Sequence, residues 1–307
     1  MSLATQKTVI NLKATASLII SVLCWSAVPL FLKSFTPYID GWTANGYRYP
    51  FAAALFLPWL IMFYRNGQLK LDVCKKAILP ASVNLVGQSL WAWAPYFINP
   101  ALQAFIVRLS VVWAVIGSFI LFSDERGLIK SKRFWGGITL ASLGFVGIVV
   151  GGSELPTDST LLGIILIVIC SIFWAAYNLT VRRNMNTIDS RLAFGLISLY
   201  TSAGTFFLMC LLGKPAVLSS LPMRINFFIF LSAFIGIAMA HVFFYVAIKR
   251  IGVAIAASFN LSSPFITAVF SFIIFNEILT GIQWGAGVLL VSGAVLLLWA
   301  QKKMIDK

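Results

Sequence analysis

Charged side chains are scarce in this sequence: Asp, Glu, Lys and Arg together make up 10% of the 307 residues, whereas 60% of the residues are hydrophobic. Ordinary soluble domains contain about 25% charged residues. A chain of this composition could not cover a water-facing surface with polar groups, which excludes a soluble globular protein. Lipid must therefore be the solvent for much of the molecule.

Acidic residues are absent from the middle of every long apolar run. All nine lie at the ends of these runs or between them, at Asp40, Asp72, Asp124, Glu125, Glu154, Asp158, Asp189, Glu277 and Asp306. A carrier of cations usually needs a counter-charge at its site, and many proton-coupled carriers use an intramembrane carboxylate. The distribution favours a zwitterionic, neutral or anionic substrate, although aromatic faces alone could hold a cation.

The residues of catalytic and metal sites are equally rare. His241 is the single histidine, and the four cysteines show no metal-ligand spacing. The sequence also has no phosphate-binding loop of the kind that nucleotide-powered transporters carry. An intramembrane enzyme would need a nucleophile with its base, paired carboxylates or a metal cluster. We therefore expect no catalytic residue, no metal and no cofactor.

Ten long apolar runs are present, and each has about the length of a membrane-spanning helix. A helix rises about 1.5 Å per residue and needs about 20 residues to cross about 30 Å of hydrocarbon. The sequence predicts an all-α membrane protein with ten transmembrane helices, near residues 15–33, 41–64, 77–98, 101–122, 134–152, 160–181, 191–213, 225–248, 253–275 and 282–300. Only Asn99 and Pro100 separate the third and fourth helices, which predicts a tight helical hairpin there.

The net charge of +14 follows the predicted topology. With the amino terminus inside, the inner segments hold eighteen of the 23 basic residues and the outer loops hold three. This asymmetry is the positive-inside pattern, and it predicts that both termini are cytoplasmic. Because the basic residues are placed by topology, we expect the lipid bilayer as a partner and no nucleic acid.

The two halves of the chain resemble each other at consistent spacing. Trp174 follows Trp25 by 149 positions, and Glu277 follows Glu125 by 152. Each half contains five predicted helices, and this odd number inserts the second half in the opposite sense. The sequence therefore predicts two inverted five-helix repeats, residues 1–152 and 153–307, an arrangement typical of transporters with one midplane site.

Several segments carry a resemblance to a known family. They are the positions of Trp25 and Trp174, GYRYPFAAALFL with Arg48, FFYVAIKRIGVAIAASF at 243–259, LSSPF at 261–265 and NEILTGIQWGAG at 276–287. On these residues the chain resembles the drug/metabolite transporter superfamily, specifically bacterial ten-span proteins with two EamA-type repeats. The resemblance implies a central cavity between the halves, a small-molecule substrate, the bacterial inner membrane, and export as the commoner direction.

Arg108 is the sharpest candidate for a substrate-binding residue. It lies about ten residues into its predicted helix, near the bilayer centre, where an arginine costs about 2.5–3.5 kcal/mol to insert. The repeat aligns it with Asn260, close to Ser263. The guanidinium could bind a carboxylate or phosphate, or it could be held structurally by carbonyl and amide groups. Arg48 lies nearer a helix end, where it could snorkel; we favour a structural role, and contact with the substrate is the alternative.

Two stripes of polar and aromatic residues also predict a cavity lining. The third predicted helix carries one stripe along a single face: Asn84, Gln88, Trp91 and Pro95. The sixth carries a similar stripe: Ser171, Trp174, Tyr177 and Asn178. These residues, with Trp25, could line a cavity; the alternative is interhelical hydrogen bonding with tryptophans near the interfaces.

His241 and the intrahelical prolines are weaker candidates. His241 lies one turn from Tyr245 and could accept a proton during transport, although a neutral histidine bonded to a neighbour is the alternative. Prolines free backbone carbonyls inside helices, so Pro29, Pro95 and Pro264 are candidate gating residues.

These observations favour a secondary or facilitative transporter of small organic metabolites, with amino acids or organic anions preferred, working by alternating access. The alternatives are a broad-specificity multidrug exporter and a receptor or scaffold with a transporter fold. Glycines in the fifth and tenth helices allow close packing within one chain or at a dimer contact, so a monomer and a homodimer both remain open.

Overall fold

The computed structural model describes residues 12–152, 157–251 and 253–305, and no strand occurs among them. We number the α-helices in chain order: α1 Leu12–Phe35, α2 Gly41–Arg65, α3 Leu71–Trp93, α4 Pro100–Ile106, α5 Leu109–Leu121, α6 Lys132–Val150, α7 Asp158–Met185, α8 Ser190–Leu212, α9 Met223–Ala233, α10 Ala240–Ile251, α11 Val253–Asn260, α12 Ser263–Phe275 and α13 Gly281–Ile305. A π-helical turn, Phe234–Met239, joins α9 to α10.

Seven helical segments of the described residues are long and apolar enough to cross a membrane, which identifies an integral membrane protein. They are Lys13–Phe35, Pro100–Leu121, Lys132–Val150, Asp158–Met185, Ser190–Leu212, Met223–Ile248 and Gly281–Gln301. The other three predicted spans correspond to α2 and α3, which are long but more polar, and to α11 with the short apolar α12. The count of ten spans therefore stays a prediction.

The predicted boundary between the repeats, after residue 152, adjoins residues 153–156. These residues, which include Glu154, lie outside the described part of the chain. The division into repeats 1–152 and 153–307 therefore stays a prediction as well.

Helix α4 begins at the Asn99-Pro100 pair, where the sequence places the turn between the third and fourth spans. The side chain of Asn99 accepts a hydrogen bond from the backbone N–H of Leu102 at 2.7 Å, and Pro100 occupies the first turn of α4. Asparagine before the first turn and proline within it are both strong helix-start signals, because one satisfies a free N–H and the other has none.

Two of the predicted spans are interrupted near their middle. Between α4 and α5, the N–H of Arg108 bonds to the carbonyl of Phe105, and between α11 and α12 the N–H of Ser262 bonds to Phe259, each spanning three residues instead of four. The predicted spans 101–122 and 253–275 are thus each two helices joined by a tightened turn. Such mid-helix turns often mark a hinge or a functional site.

The helices run between two ends of the bundle, which we call the terminal face and the far face. The terminal face contains the start of α1 and the end of α13, where Arg133 lies over the ring of Trp299 at 5.4 Å. At the far face, the hydroxyl of Thr280 donates to the carbonyl of Gly151 and joins the start of α13 to the end of α6.

Helices α6 and α13, the fifth and tenth predicted spans, pack against each other through small residues. A Cβ added at Gly144 would lie 2.3 Å from the backbone nitrogen of Leu290, and one at Gly293 would lie 2.5 Å from the backbone nitrogen of Ala141. Both faces therefore serve packing within one chain.

Replacing Gly144 by alanine should destabilise the protein. The new methyl group meets backbone atoms of α13, which cannot move aside, and overpacking of this kind costs about 1–3 kcal/mol. Thermal unfolding of the purified protein in detergent measures the loss. Gly136→Ala is the matched control on the same helix, because a Cβ there meets nothing within 4 Å. Equal unfolding temperatures for the two variants would contradict the close packing.

Candidate functional site

Arg108 lies at the tightened turn between α4 and α5 and connects the two halves of the chain. Its Nη2 donates to the hydroxyl of Ser263, at the start of α12, over 2.8 Å. Because the backbone N–H of Arg108 bonds to Phe105, the carbonyl of Ala104 is freed, and it accepts the Nε of Arg108 at 3.4 Å. The guanidinium is half-buried and, among its described contacts, is held by neutral groups.

The second tightened turn lies beside this contact. Ser263 is buried, and its carbonyl accepts the hydroxyls of Ser26 and Thr267, each at 3.1 Å. Asn260 ends α11, and its buried Oδ1 has no hydrogen-bond partner among the described residues. The structure thus brings together Arg108, Ser263 and the equivalent turn of the other half, with one buried acceptor left unpaired.

The tryptophans of the third and sixth predicted spans pack against each other with tilted rings. The rings of Trp91 and Trp174 lie 4.9 Å apart, centre to centre, and a Cβ at Gly87 would lie 2.7 Å from Trp174. Trp91 is buried in the core of the bundle. The buried Nε1 of Trp174 has no partner among the described residues.

Gln103 is a polar residue of this region that sequence reasoning missed. It is fully buried on α4, and its Nε2 donates to the carbonyl of Trp91 at 2.9 Å. Its Oε1 is unpaired among the described residues. The available signal was an amide in an apolar run five positions before Arg108.

His241 lies in an aromatic cluster. Its ring stacks on Phe194 at 4.2 Å, and Trp25 approaches its edge at 5.2 Å. Its Nδ1 is 2.8 Å from the carbonyl of Ile237, which assigns the hydrogen to Nδ1 and leaves Nε2 with a lone pair. The ring of Tyr245 lies 6.4 Å away. The hydrogen bond to Ile237 agrees with the alternative that the sequence allowed, a neutral histidine bonded to a neighbour.

Asn84 and Gln88 belong to a ladder of hydrogen bonds between helices. Asn84 donates to Thr201 of α8 at 3.1 Å, and Gln88 donates to Asn84 at 3.3 Å. The carbonyl of Gln88 accepts Asn45 of α2 at 2.7 Å. The structure therefore uses these two residues in interhelical contacts, which was the alternative reading of the stripe.

Arg48 continues this ladder and does not snorkel; its contacts agree with the structural role that the sequence favoured. The side chain is 2% exposed, and its Nε donates to the hydroxyl of Ser232 at 2.8 Å, while its Nη1 donates to Asn45 at 3.3 Å. A buried arginine held by Ser232 of α9 and by Asn45 of its own helix ties α2 to α9, which favours the structural role.

The remaining predicted residues are more dispersed. Tyr177 packs beside a separate apolar cluster that includes Leu60 and Phe63, and Asn178 is exposed. Pro29 lies within α1, whereas Pro95 lies in the turn after α3 and Pro264 in the first turn of α12. Two of the three candidate gating prolines therefore begin or end a helix, where proline is well tolerated.

Comparison with known proteins gives a consistent result. The chain matches the model of the EamA-like transporter family twice, over residues 12–150 and 161–299. It is 23% identical over 297 residues to an uncharacterized transporter of Archaeoglobus fulgidus, covering 93% of this chain and 97% of that one. It is also 26% identical over 200 residues to an uncharacterized transporter of Methanothermobacter thermautotrophicus, covering 64% of this chain and 56% of that protein.

A solved crystal structure also resembles this chain in fold. It superposes with a TM-score of 0.62 at 16% identity and covers 92% of this chain and 96% of its own.

Removing the hydroxyl that holds Arg48 should destabilise the protein. Ser232→Ala leaves the buried guanidinium short of one acceptor, and a lost hydrogen bond to a charged group costs about 1.5–3 kcal/mol. Thermal unfolding measures this, with Ser82→Ala as the control, because Ser82 is exposed and bonds within its own helix. If Ser232→Ala instead keeps the stability of the control and loses ligand binding, the structural role of Arg48 is wrong.

Proposed function

The chain belongs to the EamA-like transporter family, and from that premise we propose that it moves small organic metabolites across the cytoplasmic membrane by alternating access, with amino acids or organic anions as the favoured substrates. The observation that carries the proposal is the contact between Arg108 and Ser263, because it joins the two halves at the tightened turns of two helices.

The surroundings of Arg108 suit a carboxylate. Its described hydrogen bonds go to one hydroxyl and one carbonyl, and a guanidinium has more N–H donors than these two contacts use. The described residues place no acidic side chain in contact with it. A bound carboxylate would accept the remaining donors in the paired geometry that arginine favours, and it would offset the cost of an intramembrane charge.

Two buried acceptors support a substrate that also carries an amino group. The Oδ1 of Asn260 and the Oε1 of Gln103 are unpaired among the described residues, and an unpaired buried polar atom is costly. An ammonium group supplies several N–H donors and no acceptor. An amino acid therefore matches both the positive charge of Arg108 and these two oxygens.

The charge distribution supports a topology of ten spans with both termini in the cytoplasm. The terminal face carries the basic inner loops, including Arg65, Lys132, Arg133 and Arg183, and basic loops remain on the cytoplasmic side. Export is the direction we favour.

The aromatic cluster supports a second candidate, a multidrug exporter. Trp25, Phe194, His241 and Tyr245 form a group of rings with no charged member, which suits a bulky apolar compound or a cation. The two candidates differ in whether binding depends on Arg108.

Arg108→Ala should weaken the binding of carboxylated ligands at least tenfold, or about 1.4 kcal/mol, because it removes the charge that pairs with them. The measurement is ligand-induced thermal stabilisation of the purified protein across a panel of metabolites sorted by charge. A ligand present at 100 times its Kd stabilises the folded state by about 2.7 kcal/mol, so the loss is readily seen.

The matched control is Arg224→Ala, which removes an exposed arginine in the first turn of α9. It should keep the affinity of the parent, and Arg108→Lys should retain part of it, because a lysine keeps the charge without the paired geometry. Stabilisation by cations or apolar compounds that is equal in the parent and in Arg108→Ala would contradict the anion site and support the multidrug exporter.

A further inference from the structure

A buried carboxylate at the terminal face closes that end of the bundle. Glu125 is 1% exposed, and it forms an ion pair with Arg182 at the end of α7. It also accepts the hydroxyl of Ser118 at 2.5 Å and the Nε2 of Gln301, on α13, at 2.7 Å. The guanidinium of Arg182 lies 4.0 Å from the ring centre of Phe122. The turn after α5, the end of α7 and the end of α13 are thereby held together.

The protonation of Glu125 fits this arrangement. Burial opposes ionisation of the carboxyl group, but the hydrogen bonds from Ser118, Gln301 and Arg182 outweigh that effect, so the pKa of Glu125 lies below its ordinary value. The residue is therefore ionised at neutral pH, and the pair is a true ion pair.

The repeat places an equivalent set of residues at the far face. Arg182 follows Lys33 by 149 positions, the same spacing that separates Trp174 from Trp25. Glu277 follows Glu125 by 152 positions, which is the spacing between the fourth and ninth predicted spans. Glu277 also accepts a hydrogen bond from a serine of the preceding helix, Ser271, as Glu125 does from Ser118. Because the halves are inverted, the second set lies at the opposite end of the bundle.

The far-face set is not closed in this structure. The Nζ of Lys33 donates to the carbonyl of Pro95, in the turn after α3, at 2.9 Å. Glu277 is half-buried, and this burial raises the pKa of its carboxyl group above the ordinary value. The hydrogen bond from Ser271 and the charge of Lys33 lower the pKa by less than burial raises it. Lys33 thus acts on Glu277 as a nearby charge, while its hydrogen bond goes elsewhere.

We infer that Lys33 and Glu277 are the far-face counterpart of the Arg182–Glu125 ion pair, and that the protein closes one pair as it opens the other. The inference rests on the proposed alternating-access cycle. In an inverted repeat, each half adopts in the second state the arrangement that the other half has in the first. Arg182 of α7 and Glu125 after α5 form the closed pair. The equivalent residues of the other pair are Lys33 of α1 and Glu277 after α12.

The chemistry of the two pairs suits an exchange. Lysine is a flexible point charge that can leave the Pro95 carbonyl for a carboxylate, and the partly buried Glu277 gains a partner when it does. At the other face, Arg182 and Gln301 keep access to water or to lipid phosphates when they release Glu125. Each state then has one satisfied pair, so neither state is strongly preferred.

Thiol cross-linking in membranes tests this without any substrate. Lys33→Cys and Glu277→Cys are combined in a protein whose native cysteines, Cys24, Cys74, Cys170 and Cys210, are replaced by serine. A bifunctional thiol reagent about as long as a lysine–glutamate ion pair should give a low yield of cross-link between positions 33 and 277 in this background. Adding Glu125→Gln, which breaks the terminal-face pair, should raise the yield several-fold, because the population shifts to the state with a closed far face.

Arg182→Gln is the second variant, and it should also raise the yield of the 33–277 link. It keeps the test valid if Glu125→Gln fails to fold. The control couples Glu277→Cys with Lys214→Cys, another far-face lysine that the repeat does not relate to Arg182. An unchanged yield of the 33–277 link in both variants, or an equal rise of the control link, would overturn the inference. Loss of ligand binding across the metabolite panel would instead refute the proposed function, since the cross-link needs no ligand.

Discussion

The hydrogen bond between Arg108 and Ser263 joins the two repeats of this protein inside the helical bundle. An intramembrane guanidinium must be held by polar groups of the protein, because lipid offers none. Its partners lie beside two turns that each depart from α-helical bonding: the carbonyl of Ala104 on one side and the hydroxyl of the buried Ser263 on the other. The charge and the tightened turns therefore require each other, and both lie where the halves meet.

The repeat relates many features of the two halves, but the residues that carry charge differ between them. Trp25 and Trp174 are equivalent in sequence, yet Trp25 contacts His241 whereas Trp174 packs against Trp91. Arg108 aligns with Asn260, so one half contributes a cation and the other an unpaired acceptor. The amino acid that we propose as substrate would offer an acid to the cation and an amine to the unpaired acceptor.

Local patterns predicted much of the fold and part of the site. Apolar length predicted the helices, the Asn99-Pro100 pair predicted the turn before α4, and depth in a span singled out Arg108. The same reasoning left the role of Arg48 open, because distance from a helix end says nothing about which neighbours surround a side chain. It also missed Gln103, whose importance lies in a contact with the backbone of Trp91, twelve positions earlier.

The sequence by itself determined that the protein resides in lipid and consists of helices, since both follow from the free energy of transferring local segments out of water. Matching residues at constant spacing determined that its halves repeat. Only the tertiary structure decided which polar groups satisfy each other: Arg48 with Ser232, Arg108 with Ser263, and Glu125 with Arg182. These partners are 184, 155 and 57 positions apart. Pairing over such distances depends on how helices pack, which no local pattern records.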